Sequence, residues 1–207
     1  MLLENDKYKS IITQSLEYLV RKGKVKVYAF VIMPNHIHII WELLDLNGKE
    51  MPHASFMKYT SHLIQKDLRE NSPNDLNSFA VDSYNRDFQF WQRNSLSTEV
   101  YTPSVVFQKL NYIHNNSCKG KWMLAASPID YKFSSAGFYE TGNDEYGFLT
   151  HVGDRLWMVF FSRRSTLTNL WLGNKSVETL TWTHWLNRKL HFIYFNIFWF
   201  RVFIRRT

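Results

Sequence analysis

Two histidines, His36 and His38, stand two residues apart in the run Val31-Ile32-Met33-Pro34-Asn35-His36-Ile37-His38-Ile39-Ile40-Trp41. The run reads as one buried strand. Side chains alternate across a strand, so both imidazoles fall on one face, while Ile37 and Ile39 fall on the other, toward whatever covers the sheet. Imidazoles at that spacing can hold one divalent metal ion between them. They can equally be the polar face of a half-exposed strand, because H-x-H also arises by accident. Far along the chain, Tyr112 and Asn116 are four apart, which sets a phenol and an amide on one face of any helix that reaches the asparagine.

The elements that must position these groups are legible as hydrophobic periods. Ile11, Ile12, Leu16, Leu19 and Val20 recur at helical spacing over residues 5–22, and Gly23 is placed to stop that helix after Arg21 and Lys22. Lys24 to Val27 leads into the long apolar strand through Trp41, which makes the opening unit helix–turn–strand. Asn47-Gly48 marks a turn. Phe56, Met57, Tyr59, Leu63, Ile64 and Leu68 give one apolar face to a helix over 55–68, with Ser55 as its cap. Residues 70–78 carry no periodic pattern and read as loop. Phe88 to Gln92 reads as a short aromatic strand. Thr102-Pro103 opens a further helix to about Asn115, with Pro103 in the first turn, where its missing N–H costs nothing. Residues 128–150 read as loop and short elements.

Composition narrows the class. Hydrophobic residues at 45% and aromatics at 17% argue for a packed core over disorder. A single cysteine, Cys118, excludes a disulfide within the chain and fits a reducing, cytoplasmic setting. The N-terminus has neither the basic nor the apolar region of a secretory signal. The net charge of +7 lies entirely in the tail: residues 1–150 hold sixteen basic and sixteen acidic side chains, residues 151–207 nine basic and two acidic. Overall basicity is therefore no evidence that the histidine-bearing part binds nucleic acid. In the tail, thirteen of 57 residues are aromatic and no clean period appears. Leu190 to Ile204 is its most apolar piece; it is shorter than the ~20 residues of a membrane span, which leaves contact with a membrane surface as the alternative to docking on protein. The expected organisation is a domain over 1–150 and a basic, aromatic tail of unknown fold over 151–207.

Taken together, the motifs carry a resemblance. Met33-Pro34-Asn35-His36-Ile37-His38 resembles the HUH motif (two histidines flanking a hydrophobic residue) of single-tyrosine insertion-sequence transposases. Phe90-Trp91-Gln92-Arg93, followed by Gln108-Lys109-Leu110-Asn111-Tyr112-Ile113-His114-Asn115-Asn116, is similar to the second half of that pattern. With Asp130-Tyr131-Lys132-Phe133-Ser134-Ser135-Ala136, these blocks resemble the branch of REP-associated tyrosine transposases, over roughly residues 5–150. The resemblance implies an α+β, ferredoxin-like fold: an antiparallel sheet carrying the histidines, helices on one face, and the tyrosine helix packed beside it. The family's fold begins with a strand ahead of the first helix. This chain begins at the helix, so the expected sheet lacks that strand, and the tail beyond 151 resembles nothing in the family.

Family chemistry follows as an expectation. Tyr112 is the implied nucleophile, attacking a phosphodiester of single-stranded DNA to leave a 5′-phosphotyrosine and a free 3′-hydroxyl; its other reading is a helix tyrosine packing against the sheet. His36 and His38 are the implied ligands of Mg²⁺ or Mn²⁺, with Asn116 as the third, though Asn116 also suits a helix C-cap. A phenol of pKa near 10 is a poor nucleophile at neutral pH, and a metal that polarises the scissile phosphate compensates. His114 is expected in a surface or structural role, Phe90 and Trp91 in the core. Tyr101, His53 and His62 match no catalytic position. The implied partners are single-stranded or hairpin DNA, with monomer and homodimer both open and no membrane partner. Against an active transposase that nicks and rejoins DNA stands a second class, a DNA-binding remnant that cannot cleave. The intact His36, His38 and Tyr112 favour the first, and the absent strand favours the second.

Overall fold

In the computed structural model, helix α1 spans Asp6–Arg21 and starts where the Asn5 side chain accepts the Lys7 amide at 3.0 Å. It stops at Gly23, whose φ of +65° reverses the chain without steric cost. The structure describes residues 1–92, 96–100, 102–156 and 195–202, the strands at 96–100 and 195–201 by their backbone alone.

The run read as one strand is a hairpin. Strand β1, Val25–Met33, turns through Pro34-Asn35 into β2, His36–Leu43, and Met33 pairs with His36 across the turn. The physical reason lies in Pro34, which has no N–H for a ladder and a fixed φ that suits a turn better than the middle of a sheet. Both histidines therefore sit at the start of the returning strand. A bulge at Tyr28 adds a residue to β1 between the Val27–Trp41 and Ala29–Ile40 pairs. The parity of β1 flips there, so Val25 and Val27 share a face with Phe30 and Ile32.

Helix α2 runs over Pro52–Asn71, earlier and later than the expected 55–68. Pro52 takes the first-turn position and Ser55 Oγ instead donates to the Pro52 carbonyl at 3.0 Å. A second correction follows at once, because Pro73 starts a short helix α3, Pro73–Asn77, inside the stretch read as loop. Residues 88–92 form no strand, only isolated bridges at Ala80–Phe88 and Trp91–Val202. Phe90 and Trp91 are buried as expected, and Trp91 Nε1 donates to Thr60 Oγ1 at 3.0 Å. Strand β3, Leu96–Val100, leads to helix α4, Pro103–Asn115, capped by Thr102. Helix α5 covers Ala136–Thr141 and strand β4 Phe195–Arg201.

The four strands form one antiparallel sheet in the order β1-β2-β4-β3. The fold is α+β. Two expectations change here. The sheet is not short of a strand, because β4, from the apolar piece of the tail, lies between β2 and β3. Nor are the helices confined to one face. Ile12 and Leu16 of α1 and Phe56 and Ile64 of α2 pack on Phe30, Ile32, Ile37, Ile39 and Trp41. Val106, Leu110 and Ile113 of α4 pack on Tyr28, Ala29, Val31, Met33 and Ile40 of the opposite face. Both faces of β1 are apolar, and uncovered they would expose side chains each worth about 1.5–3 kcal/mol on burial. Val152 and Leu156 belong to the α4-side core, so the described parts of 151–207 pack into the same body as residues 1–150; residues 157–194 lie outside the described residues.

The outer edge of β1 is covered as well. Ile32 N donates to Phe133 O and Ser135 N to Phe30 O, and Thr150 N donates to Val27 O. Sheet edges left open invite pairing with other chains, and short covering segments prevent it. No described helix is long and apolar enough to cross a membrane.

Ile197 lies between Ile40 and Thr98, with ladder partners on both sides. Ile197→Pro should therefore destabilise the protein by about 3 kcal/mol or more in urea unfolding. An unchanged midpoint would show that β4 is not an interior strand.

Candidate functional site

His36 and His38 fall on the face of the sheet that α4 covers, as strand alternation requires. Their ring centroids are 4.9 Å apart, and the ring of Tyr112 stands 5.5 Å from that of His38, edge-on at 80°. His38 is 3% exposed, whereas Tyr112 is 51% exposed. The constellation is thus a floor of imidazole at the end of a strand, with a phenol above it that solvent can reach. His36 is intermediate in burial.

The hairpin turn supplies a detail that the sequence reading passed over. Asn35 Oδ1 lies 2.6 Å from His36 Nδ1. A carboxamide oxygen only accepts, so in this pair Nδ1 is the donor and Nε2 is left to face elsewhere. Fixing one ring nitrogen by a hydrogen bond while the other is presented as a donor is how ligating histidines are oriented. The adjacency of asparagine to histidine was the available signal.

Asn116 follows Tyr112 by four residues and keeps helical angles, φ −61° and ψ −36°, so the two share one side of α4 and its extension. As the C-cap it gives its backbone N–H to the Ile113 carbonyl, which is the capping role anticipated for it. Its side chain does something else. Asn116 Nδ2 is buried and makes no hydrogen bond among the described residues. A buried amide in that condition is costly, about 1–3 kcal/mol, and calls for an explanation.

His36 and His38 offer two imidazole donors side by side, and Asn116 is placed relative to them only through its spacing from Tyr112. Among the described residues no cluster of three or more His, Cys, Asp and Glu gathers, so nothing resembles a closed structural zinc site. Two nitrogen donors could serve an ion that fills its remaining positions with water and phosphate oxygens, as Mg²⁺ and Mn²⁺ do.

The other histidines and tyrosines fall outside this group. His114 turns away from Tyr112, pairs its Nε2 with Ser135 Oγ at 2.9 Å, and lies 5.1 Å from the Tyr139 ring. Burial lowers its pKa to about 4, so it is neutral at pH 7. Its role is structural, as expected. Ser135 is fully buried and its Oγ also accepts the Phe30 amide at 3.0 Å, which ties α4 to β1 through one hydroxyl. Tyr131 donates to the Ile32 carbonyl at 2.7 Å, and burial raises its pKa well above the ordinary phenol value. Tyr28 is raised likewise, by burial first and then by its hydrogen bond to Glu42, which also receives Arg155 at 2.9 Å. His53 and His62 lie on α2, and Tyr101 lies outside the described residues. A cavity of about 510 Å³ bordered by Tyr18, Phe56, Tyr59 and His62 opens along α1 and α2, away from the paired histidines.

Comparison with protein-family models, curated proteins and solved structures finds no match to this chain.

The lowered pKa of His114 gives a sign for the acid limb of stability. An unfolded histidine binds its proton near pH 6.5, and the folded one only near 4. Between those values the unfolded chain holds more protons, so stability present above pH 6.5 should drain away as the pH falls through 4, by up to about 3 kcal/mol. His114→Asn should flatten that slope in urea titrations at stepped pH; an identical slope would mean that the ring is not kept neutral by burial.

Proposed function

We propose that the chain is a metal-dependent, single-tyrosine DNA transposase with the HUH arrangement, one that nicks and rejoins single-stranded DNA. One observation carries the reading. Tyr112, on a helix, stands beside His38, on a strand far away in sequence, on the same sheet face as His36 and with Asn116 one helical turn on. Packing alone gives no reason for an H-x-H pair and a half-exposed tyrosine to meet.

The strand order supports the family fold that the motifs imply. Helix α1 passes from the β4 position to β1, and α2 from β2 to β3, on one face of the sheet. That order matches what a ferredoxin-like fold would need, with the slot of the family's first strand taken by β4 from the far end of the chain. The damaged-remnant reading rested on an empty slot, and a filled sheet weakens it.

In the proposed reaction the Tyr112 oxygen attacks the phosphorus of one phosphodiester, the bond to the 3′ oxygen breaks, and that oxygen leaves as a hydroxyl after taking up a proton. The fragment carrying the 5′-phosphate stays on the tyrosine. Attack by the free 3′-hydroxyl on that phosphotyrosine reverses the exchange, so the bond energy is kept and no nucleotide triphosphate is consumed. Asn35 pairs with His36 Nδ1, and His36, His38 and Asn116 are the residues that would hold the ion. When bound, Mg²⁺ or Mn²⁺ supplies charge stabilisation at the phosphate. Exposure of Tyr112 lets a strand reach the phenol, and Leu110 and Ile113 fix the helix beneath it.

Incubation with 3′-labelled, hairpin-bearing single strands of randomised flank should leave label covalently attached to the protein. Tyr112→Phe keeps the ring and the fold, so binding should persist while the adduct disappears. His36→Ala should remove Mg²⁺- or Mn²⁺-dependent cleavage by at least a hundredfold, in the range seen when a metal's ligand or orienting shell is lost. Label retained by Tyr112→Phe would name a different nucleophile, and binding without any adduct in the parent would return the remnant reading.

A further inference from the structure

The register of β4 brings one residue of the tail to the proposed site. In an antiparallel pair, residues directly opposite one another share a face of the sheet. Arg201 is opposite His36 and Trp199 is opposite His38, so both stand at register positions on the histidine face. Val202 N donates to Asn35 O at 2.9 Å, which pins the end of β4 to the hairpin turn that orients His36. Arg201 is the only charged residue in 195–202. Apart from Asn196 the rest of the strand is apolar and aromatic, and a guanidinium at its end gains nothing unless an anion or water meets it.

The sole acid of β2, Glu42, is at the other end of the strand and is engaged by Arg155 and Tyr28. From Val100 to Ile129, a stretch that includes all of α4, the chain contains no Asp or Glu but has Lys109, Lys119 and Lys121. Helix α4 and the stretch after it, up to Asp130, therefore carry charge of one sign, which favours an anion. We infer that Arg201 is a phosphate-positioning residue of this site, holding the strand of nucleic acid whose phosphodiester Tyr112 addresses. The inference rests on the proposed function and extends it to the tail. A planar guanidinium can take two oxygens of one phosphate, fixing orientation as well as charge.

The test uses the full chain carrying Tyr112→Phe, so that binding is read without cleavage, with fluorescein-labelled oligothymidylate as the probe. Arg201→Gln should weaken binding about tenfold at moderate salt and reduce the slope of log K against log salt by about 0.7, the loss of one phosphate contact to a single strand. Arg201→Lys should restore the slope but only part of the affinity. In the protein bearing the native Arg201, the oligonucleotide should also protect Arg201 from phenylglyoxal, read by mass spectrometry, while Arg155 in its Glu42 pair is indifferent to DNA. This arm decides the matter even if Arg201→Gln does not fold. Unchanged slope with unprotected Arg201 overturns the inference while leaving the tyrosine adduct, scored separately, to stand. No binding by the parent overturns the inference, and absence of the adduct as well overturns the reading beneath it.

Discussion

Strand β2 is held on every side, and the site depends on that confinement. It pairs with β1 along one edge and β4 along the other, while α1 and α2 cover one face and α4 the other. Backbone groups at such depth must find partners within the protein, since an unpaired one costs as much as a lost hydrogen bond. Two ladders satisfy them from His36 to Trp41. A strand so fixed cannot slip register, because a one-residue slip would send Ile37, Ile39 and Trp41 into the place of the histidines. His36 and His38 are therefore positioned by an apolar pattern that has nothing to do with their chemistry.

Tyr112 owes its place to a different device. Helix α4 is seated on the sheet by Val106, Leu110 and Ile113 and locked by the His114–Ser135–Phe30 chain of hydrogen bonds. Ser135 belongs to the segment that also covers the β1 edge, and Tyr131 of the same segment reaches the Ile32 carbonyl. One short stretch, 130–136, thus closes the sheet and anchors the tyrosine helix. Burial keeps His114 neutral, so this anchor carries no charge into the core, and rings meant for structure are chemically separated from rings at the surface of the site.

The hairpin and the sheet partner of β2 show where linear reading fails. A run of apolar residues from Val31 to Trp41 gives no period by which to tell one strand from two, and only Pro34 marks the break. Helices α1 and α4 were legible because a 3.6-residue period, a cap and a glycine or proline punctuate each end. The start of α2 was misread because Ser55 looks like a cap while Pro52 takes the first turn. Covering both faces of β1 was also hidden, since the bulge at Tyr28 breaks the alternation that would have revealed two apolar faces.

By itself the sequence determined the helices around the site, the shared face of His36 and His38, the shared face of Tyr112 and Asn116, and that His114 falls apart from Tyr112. These follow from the local geometry of strands and helices, which spacing encodes directly. Only the tertiary structure decided that Tyr112 meets His38, that Asn35 pairs with His36 Nδ1, and that residues 195–201 lie between β2 and β3. Which strand pairs with which depends on loop closure and on filling a common core, both of them properties of the whole chain. Aromatic content and charge were visible in the tail, but the slot that could receive it existed only once β2 and β3 had been placed.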